Sequence, residues 1–145
     1  MRAEIAVSER VRLFARVERE QGLAVALEWF RDGAGYRIAS VAWAPYFPEH
    51  LAFVVYACWT EARLHGVDVS LEAFADERCV ILFRNHVHFE LYERASHLKQ
   101  QVSPHQFRLL FEAVWEDRAR HCGWEPSFIY SGHTVRLTLT RRATA

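Results

Sequence analysis

The chain has 145 residues, 51% of them hydrophobic and 25% charged, which excludes a disordered chain and allows a core without disulfides or metals. Its 18 basic and 18 acidic side chains cancel, and a net charge near zero argues against binding to nucleic acid or to an anionic membrane. Weak repulsion between copies also favours self-association. We therefore expect a single domain spanning residues 1–145.

The cysteines Cys58, Cys79 and Cys122 stand among apolar residues without a Cys-x-x-Cys spacing. Three cysteines cannot all pair within one chain, and the pattern is typical of reduced, buried thiols in a cytosolic protein. The sequence has no signal-peptide core and no run that approaches the roughly 20 residues of a membrane span. It predicts a cytoplasmic protein without a membrane partner.

The first predicted helix begins at Ser8, a favourable N-cap residue, and ends at Gly22. Val11 and Phe14 follow at helical spacing, while charged residues occupy most other positions. The narrow apolar face suits either a sheet edge or a second copy of the chain. The arginines of this helix are predicted to form a solvated face: Arg10, Arg12, Arg16 and Arg19.

Two interpretations stay open for Leu23–Trp43. Alanine and leucine favour a helix that continues after Gly22. The alternative, which we adopt as the prediction, is a hairpin of two strands around the turn residues Asp32–Gly35, because the residues from Tyr36 onward alternate as in a strand. A rigid joint at Ala44–Pro48 then leads into the next helix.

The central prediction is a helix from Pro48 to His65 that is followed by two apolar strands. Gly66 stands where a left-handed C-cap belongs. The strands cover 67–74 and 79–83 and are joined by a short acidic turn, so we expect the helix to lie across the sheet they begin. The apolar positions of the helix recur at steps of three and four: Leu51, Val54, Val55, Cys58, Trp59 and Ala62.

The segment His86–Tyr92 alternates between polar and apolar residues, which predicts a further strand before a polar loop at Arg94–Gln101. On such a strand His86, His88 and Glu90 would point the same way at ~7 Å intervals. Two imidazoles and a carboxylate in a row are suitable ligands for a divalent metal ion. A solvated polar row on an edge strand is the alternative interpretation.

The last predicted helix has Ser103 as its N-cap and Pro104 at its first position, and it ends near Cys122–Gly123. Two strands follow, Trp124–Tyr130 and Thr134–Thr140, joined by a turn. The fold class predicted by the whole order is α+β, a two-layer sandwich in which a mixed or antiparallel sheet has helices packed on one face.

The helix end Thr60–Gly66 (TEARLHG) and the closing segment Gly132–Leu139 (GHTVRLTL) carry a family resemblance. From Tyr36 to Arg142 the chain resembles the histidine-kinase-like ATPase (GHKL) domains, which include the anti-sigma-factor kinases. In those domains a helix ending in E-x-x-x-N-A-x-x-H-G precedes two strands, and a further helix leads to H-G-G and a final G-x-T-x-x-x-L-x-L strand. The resemblance implies the same kind of α+β scaffold.

The same resemblance implies that nucleotide chemistry has been lost. Glu61 stands where the family has the asparagine that holds a magnesium ion on the phosphates, and a carboxylate beside a triphosphate adds repulsion. Phe83–His86 has nothing like the D-x-G-x-G that reads adenine, so we expect no nucleotide cofactor. Bacterial histidine phosphotransferases, relatives without nucleotide binding, present a histidine on a helical hairpin, and the first helix here has none.

The sequence therefore predicts a non-catalytic bacterial regulatory domain that acts through another protein or as a homodimer. The candidate interaction surface combines the first helix with the aromatic residues Trp43, Tyr46 and Phe47. One alternative is a metal-binding protein or metal-dependent enzyme with the histidine row as its divalent metal site. A second alternative is a small-ligand sensor whose pocket lies between sheet and helices and is lined by tryptophans.

Overall fold

The computed structural model describes residues 2–84, 86–94 and 102–142, with side chains described from Glu9 onward except at positions 87, 88 and 90. The helices are α1 (Arg2–Gln21), α2 (Leu23–Trp29), α3 (Gly33–Trp43), α4 (Glu49–Trp59) with a π-helical turn after it (Thr60–Leu64), α5 (Val87–Arg94) and α6 (Pro104–His121). The strands are β1 (Asp68–Phe74), β2 (Arg78–Arg84), β3 (Trp124–Ser131) and β4 (Thr134–Arg141).

The strands form an antiparallel sheet in the order β1-β2-β4-β3. Each of the two hairpins, β1–β2 and β3–β4, supplies one half of this sheet. The strands β2 and β4 meet in the middle, where Ile81 pairs with Leu137. The predicted α+β sandwich of an antiparallel sheet with helices packed against it is confirmed.

The core lies between the helices and one face of the sheet. Alternate residues of a strand point to the same face, so one face of the two middle strands is apolar throughout. Burying this face is the main source of stability in the sheet layer. The residues of the middle strands on the core face are fully buried: Cys79, Ile81, Phe83, Val135, Leu137 and Leu139.

Helix α6 begins and ends where the sequence predicts. The Ser103 hydroxyl accepts from the Gln106 backbone N–H at 3.1 Å, and the Gln106 side chain accepts from the Ser103 N–H at 2.9 Å, which is a capping box. Pro104 occupies the first turn, where its missing N–H costs nothing. The helix gives way to the β3–β4 hairpin at Gly123, which has a positive φ of 86°.

The central helix is also confirmed, but its last turn is wider than an α-helix. Helix α4 ends at Trp59, and the chain continues as a π-helical turn to Leu64 before Gly66, whose φ is 70°. The Thr60 hydroxyl donates to the carbonyls of Tyr56 (3.0 Å) and Ala57 (3.1 Å), and such back-bonding competes with the regular helical ladder.

The predicted hairpin over Leu23–Trp43 is wrong, because both halves of this segment are helical. Gly22 has a φ of 91° and separates α1 from α2. In α3, Gly33 and Ser40 are buried and Tyr36 is partly buried, and this spacing of three and four defines one helical face against α6. Small residues alternate in this segment, but the partner helix decides which of them are buried.

Ser8 is not an N-cap, because α1 begins at Arg2 and Ser8 lies within the helix. The residues before Ser8 include alanine, glutamate and arginine, which favour helix and do not stop it.

The predicted strand over His86–Tyr92 is also wrong, since Val87–Arg94 is helix α5. The two apolar residues that bury their side chains most, Phe89 and Tyr92, are three positions apart, which fits a helix better than an alternating strand. Both pack on Phe107, whose ring centroid lies 5.3 Å from that of Phe89 and 4.4 Å from that of Tyr92. Arg94 ends the helix, and the rest of the predicted loop, 95–101, lies outside the described residues.

The three cysteines are free thiols, as predicted, with Cys79 and Cys122 buried and Cys58 half-buried. Burial raises the pKa of Cys58 and of Cys122 to about 11, so these thiols are protonated and unreactive at neutral pH. Among the helices of the described ranges, none combines the length and the apolar character needed to cross a bilayer.

Candidate functional site

The π-helical turn after α4 carries a buried carboxylate. The Glu61 side chain is only 4% exposed, although a charged group is almost never fully buried without partners. Wide π-helical turns inside α-helices are frequent at functional sites. Glu61 is therefore the residue around which a candidate site can be built.

Two imidazoles enclose this carboxylate. His65 Nδ1–H donates to Glu61 Oε1 at 3.2 Å, and His86 Nε2 lies 3.2 Å from Oε2. Burial alone raises the pKa of Glu61, but the imidazoles of His65 and His86 outweigh burial and hold that pKa well below its usual range. The hydrogen bond to Glu61 raises the pKa of His65. Glu61 is therefore ionised at neutral pH.

The sheet brings His86 to Glu61, because the end of β2 pairs with the start of β1 (Arg84 with Asp68) close to the π-helical turn. His86 follows β2, and its backbone N–H donates to the carbonyl of His133 at 2.8 Å. Its ring is edge-on to the rings of Phe89 and Phe111, with centroid distances of 5.9 Å and 5.3 Å. The imidazole is thus held in one orientation and is 1% exposed.

Glu61, His65 and His86 line a cavity of about 70 Å³ between α1, the π-helical turn and α6. One water needs about 10–15 Å³ on this scale, so the cavity has room for a ligand of about five non-hydrogen atoms. Sites for drug-sized ligands are commonly about 300–1,000 Å³. The remaining walls are two arginines and an apolar surface: Arg10, Arg118, Val11, Phe107, Leu110, Phe111, Val114 and Trp115.

Arg118 of α6 is already paired with a carboxylate. Its Nε and Nη2 donate to the two carboxylate oxygens of Asp32 at 2.7 and 2.8 Å, which is the strong bidentate arrangement. Its guanidinium also lies 4.4 Å from the ring centroid of Tyr36 and 4.9 Å from that of Trp115. Burial is the largest influence and lowers the pKa of Arg118, but the hydrogen bonds to Asp32 and the charges of Asp32 and Glu61 together leave that pKa above its ordinary value.

Arg10 of α1 faces the same cavity with different surroundings. Its guanidinium lies 5.2 Å from the ring centroid of Phe30, and no carboxylate among the described side chains forms an ion pair with it. Burial and the like charge of Arg118 lower the pKa of Arg10, while Asp32 and Glu61 act in the opposite direction from farther away. The positive charge of Arg10 is therefore only partly compensated.

Asp32 is positioned by a close contact between α3 and α6. The Gly33 backbone N–H donates to Asp117 Oδ2 at 2.7 Å. A Cβ at Gly33 would lie 2.5 Å from the Asp117 carbonyl oxygen, 2.7 Å from Asp117 Oδ2 and closer still to His121 Nδ1. The two helices can approach this closely only because residue 33 has no side chain.

The predicted metal site assumed that residues 86–92 form a strand, and that assumption is wrong. His86 precedes α5, while His88 and Glu90 lie on it, and residues two apart on a helix do not share a face. The side chains of His88 and Glu90 lie outside those that the structure describes. Within the described side chains, no group of three or more histidines, cysteines or carboxylates is arranged to hold a metal ion.

The aromatic residues predicted to form an interaction surface are exposed. Tyr46 is 98% exposed, and Trp43 and Phe47 are each 42% exposed. The sequence analysis missed the neighbouring apolar residues of α3, Ile38 and Val41, because it treated this segment as a strand. These exposed side chains are called the aromatic surface below: Ile38, Val41, Trp43, Tyr46 and Phe47.

Sequence reasoning found Glu61 but missed its surroundings. Arg10 was assigned to a solvated face, although Arg10, Phe14 and Val17 share the spacing of an apolar helix face. That spacing is the one signal that could have identified Arg10. Arg118 and Asp32 are 86 positions apart, and nothing in the sequence joins them.

Comparison with known proteins adds no relative to this picture. No protein-family model matches the chain, and no curated protein matches its sequence. The resemblance to the histidine-kinase-like ATPases stays a prediction, and function is argued below from the site alone.

Proposed function

We propose that this chain is a bacterial, cytoplasmic regulatory domain that binds a small ligand in the cavity beside Glu61. The observation that carries the proposal is the convergence of five ionisable groups on one cavity with otherwise apolar walls: Glu61, His65, His86, Arg10 and Arg118. Ligand sites combine such walls with a few convergent polar groups. Ionisable groups collected around a cavity stabilise a fold less than apolar residues of the same size, so their presence favours a binding role.

The scaffold of this domain is proposed to be a degenerate relative of the histidine-kinase-like ATPases. The described elements from α4 to β4 follow the order helix, hairpin, two helices, hairpin, and this order supports that kinship. The cavity does not favour a nucleotide, because about 70 Å³ is far below the volume a nucleoside triphosphate needs. Glu61 already accepts a hydrogen bond from His65, so a metal ion on the carboxylate would compete with that imidazole.

Thermal unfolding with a panel of small cationic, neutral and anionic compounds tests ligand binding. A compound that binds the folded state raises the Tm in a saturable way. The matched variant is Val114→Leu, which narrows the cavity, and Val80→Leu, a buried position outside the cavity lining, is its control. We expect Val114→Leu to weaken the stabilisation and Val80→Leu to leave it unchanged. A panel without any saturable shift contradicts the proposal.

The aromatic surface favours a second role, contact with another protein or with a second copy of the chain. Tyr46 and Ile38 are 98% and 72% exposed, and exposed apolar patches of this kind mark interaction sites. The variant Tyr46→Ser combined with Ile38→Ser removes the two most exposed side chains of the aromatic surface and is expected to keep the free energy of unfolding within about 1 kcal/mol of the parent value. Light scattering that gives the same mass for parent and variant at high concentration contradicts self-association through this surface.

A further inference from the structure

We propose that the ligand of the cavity is a small anion, a carboxylate or an inorganic oxyanion, whose charge is held by Arg10. This inference rests on the proposed ligand-binding function and adds the chemical class of the ligand to it.

Of the charged groups around the cavity, Arg10 would gain the most electrostatic stabilisation from a bound anion. Asp32 is engaged by Arg118 through two hydrogen bonds of 2.7 and 2.8 Å. Glu61 is engaged by His65 and lies 3.2 Å from His86. The charges of the two arginines and the two carboxylates sum to zero. Each proton that an imidazole takes up adds one positive charge. Such a cavity is neutral or positive, and it is never negative near neutral pH.

The position of Arg10 also favours an anion over other ligands. A cation would meet the guanidinium of Arg10, which Arg118 already repels. A neutral ligand would leave the Arg10 charge as it is, half-buried beside the Phe30 ring. An anion would form a charge-assisted hydrogen bond with Arg10 in a site of low dielectric constant, where such bonds are strongest.

The size and the walls of the cavity limit the anion further. The volume of about 70 Å³ accommodates acetate or phosphate and excludes a nucleotide. Val11 and Leu110 give one side of the cavity an apolar surface, which suits the short carbon chain of a small carboxylic acid. An inorganic oxyanion such as phosphate has no carbon chain to place against this surface. The two sources of negative charge are therefore distinguishable by experiment.

Calorimetric titration at constant ionic strength tests the inference with four probes: acetate, phosphate, acetamide and methylammonium. Acetamide has the shape of acetate without its charge, so it isolates the contribution of the charge. We expect acetate or phosphate to bind in a saturable way, with acetamide and methylammonium at least tenfold weaker. Binding by acetate alone identifies a carboxylate site, and binding by phosphate alone identifies an oxyanion site.

Arg10→Gln and Arg12→Gln form the matched pair of variants, because both residues lie on α1 and Arg12 is exposed. Arg10→Gln is expected to weaken anion binding at least tenfold, and Arg12→Gln less than twofold. Arg10→Lys keeps the charge and is expected to retain measurable binding. This third variant keeps the test decisive if Arg10→Gln does not fold.

The outcomes separate the inference from the function on which it rests. If acetamide binds as tightly as acetate, the anion assignment is wrong and ligand binding stands. If anions bind equally to the parent and to Arg10→Gln, Arg10 does not hold the charge and the inference is overturned. If no probe binds and the wider panel gives no saturable shift, the proposed function itself fails.

Discussion

The two sides of helix α6 are packed in opposite ways. Toward the sheet it is apolar, with Phe111 and Trp115 against Phe128 and Phe83 at centroid distances of 6.1 and 5.5 Å. Toward α3 it is polar: Asp117 accepts a hydrogen bond from the Gly33 N–H at the start of α3, and Arg118 donates to the side chain of Asp32 just before it. We refer to these as the apolar side and the polar side of α6.

The difference shows where this fold tolerates the substitution of side chains and where it requires particular ones. An apolar contact is non-directional, so similar side chains can replace one another at moderate cost. A polar contact depends on particular atoms at fixed distances, and losing one partner leaves the other buried and unsatisfied. The cavity opens beside the polar side, where Arg118 and its neighbours already need defined positions.

The largest expected effect is that of Gly33→Ala on the polar side. A Cβ at this position would lie 2.5 Å from the Asp117 carbonyl oxygen, which is backbone and cannot rotate away. The helices must separate, and we expect a loss of about 3 kcal/mol in the free energy of unfolding. Denaturant unfolding measures it.

Gly35→Ala is the control for that substitution, because a Cβ at Gly35 meets no atom within 4 Å. Both glycines belong to α3, and alanine in an exposed helix interior is stabilising by up to about 1 kcal/mol. Equal effects at the two positions would mean that α3 and α6 are not in close contact.

The second effect is that of Glu61→Gln, which removes the charge that the imidazoles enclose. Hydrogen bonds to a buried charged group are worth about 2 kcal/mol, so we expect a loss of that size. Glu72→Gln is the control, since the ion pair between Glu72 and Arg136 is exposed and should contribute less than about 1 kcal/mol. If Glu61→Gln is as stable as the parent, the buried charge of Glu61 does not stabilise the fold.

The difference in stability between the parent and Glu61→Gln should depend on pH. Glu61 has a lowered pKa in the folded protein, so its contribution is present above its ordinary value of 4.5 and is lost as the pH falls below it. His65 has a raised pKa, so its contribution is present below its ordinary value of 6.5 and is lost as the pH rises through the raised value. The contributions of Glu61 and His65 are therefore both present between pH 4.5 and 6.5.

We therefore expect the stability difference between the parent and Glu61→Gln to be largest between pH 4.5 and 6.5. Unfolding curves measured from pH 4 to 9 in steps give this profile. Arg10 and Arg118 keep their charges throughout, since arginine does not titrate in this range. A difference that is constant over the whole range would mean that neither Glu61 nor His65 changes its protonation on folding.

The smallest of these effects is that of Ser103→Ala, which removes the capping box and touches neither side of α6. The N–H of Gln106 loses its acceptor, and we expect a loss of about 1 kcal/mol without a change in ligand binding. Ser127→Ala, at an exposed position of β3, is expected to be neutral. A change in ligand affinity in Ser103→Ala would show that the helix start and the cavity are coupled.

The sequence predicts the strands β1 to β4 and the helix α6 correctly because several local signals agree there. In β4, Val135, Leu137 and Leu139 alternate with polar residues, and Ser103 and Pro104 are favourable at a helix start. These signals act within a few residues of one another, so they do not depend on the rest of the fold.

The sequence fails where the deciding contact is distant. Gly33 and Ser40 are buried because α6 covers them, and the local pattern of small residues fits a strand equally well. The alternation of polar and apolar residues over 86–92 favours a strand, but the contacts of Phe89 and Tyr92 with Phe107 hold the segment as a helix. The cavity cannot be read from the sequence at all, since its arginines come from the first and last helices.

The most direct test of the central claim is an NMR titration of the protein with acetate and, separately, with phosphate, following the tryptophan indole N–H signals. Trp115 lines the cavity, whereas the Trp124 indole N–H is buried elsewhere and donates to the His50 carbonyl at 2.8 Å. We expect at least one of the two anions to shift the Trp115 signal in a saturable way and to leave Trp124 unchanged. If the Trp115 signal stays constant with both anions, or if the two signals drift together without saturation, the cavity is not an anion site.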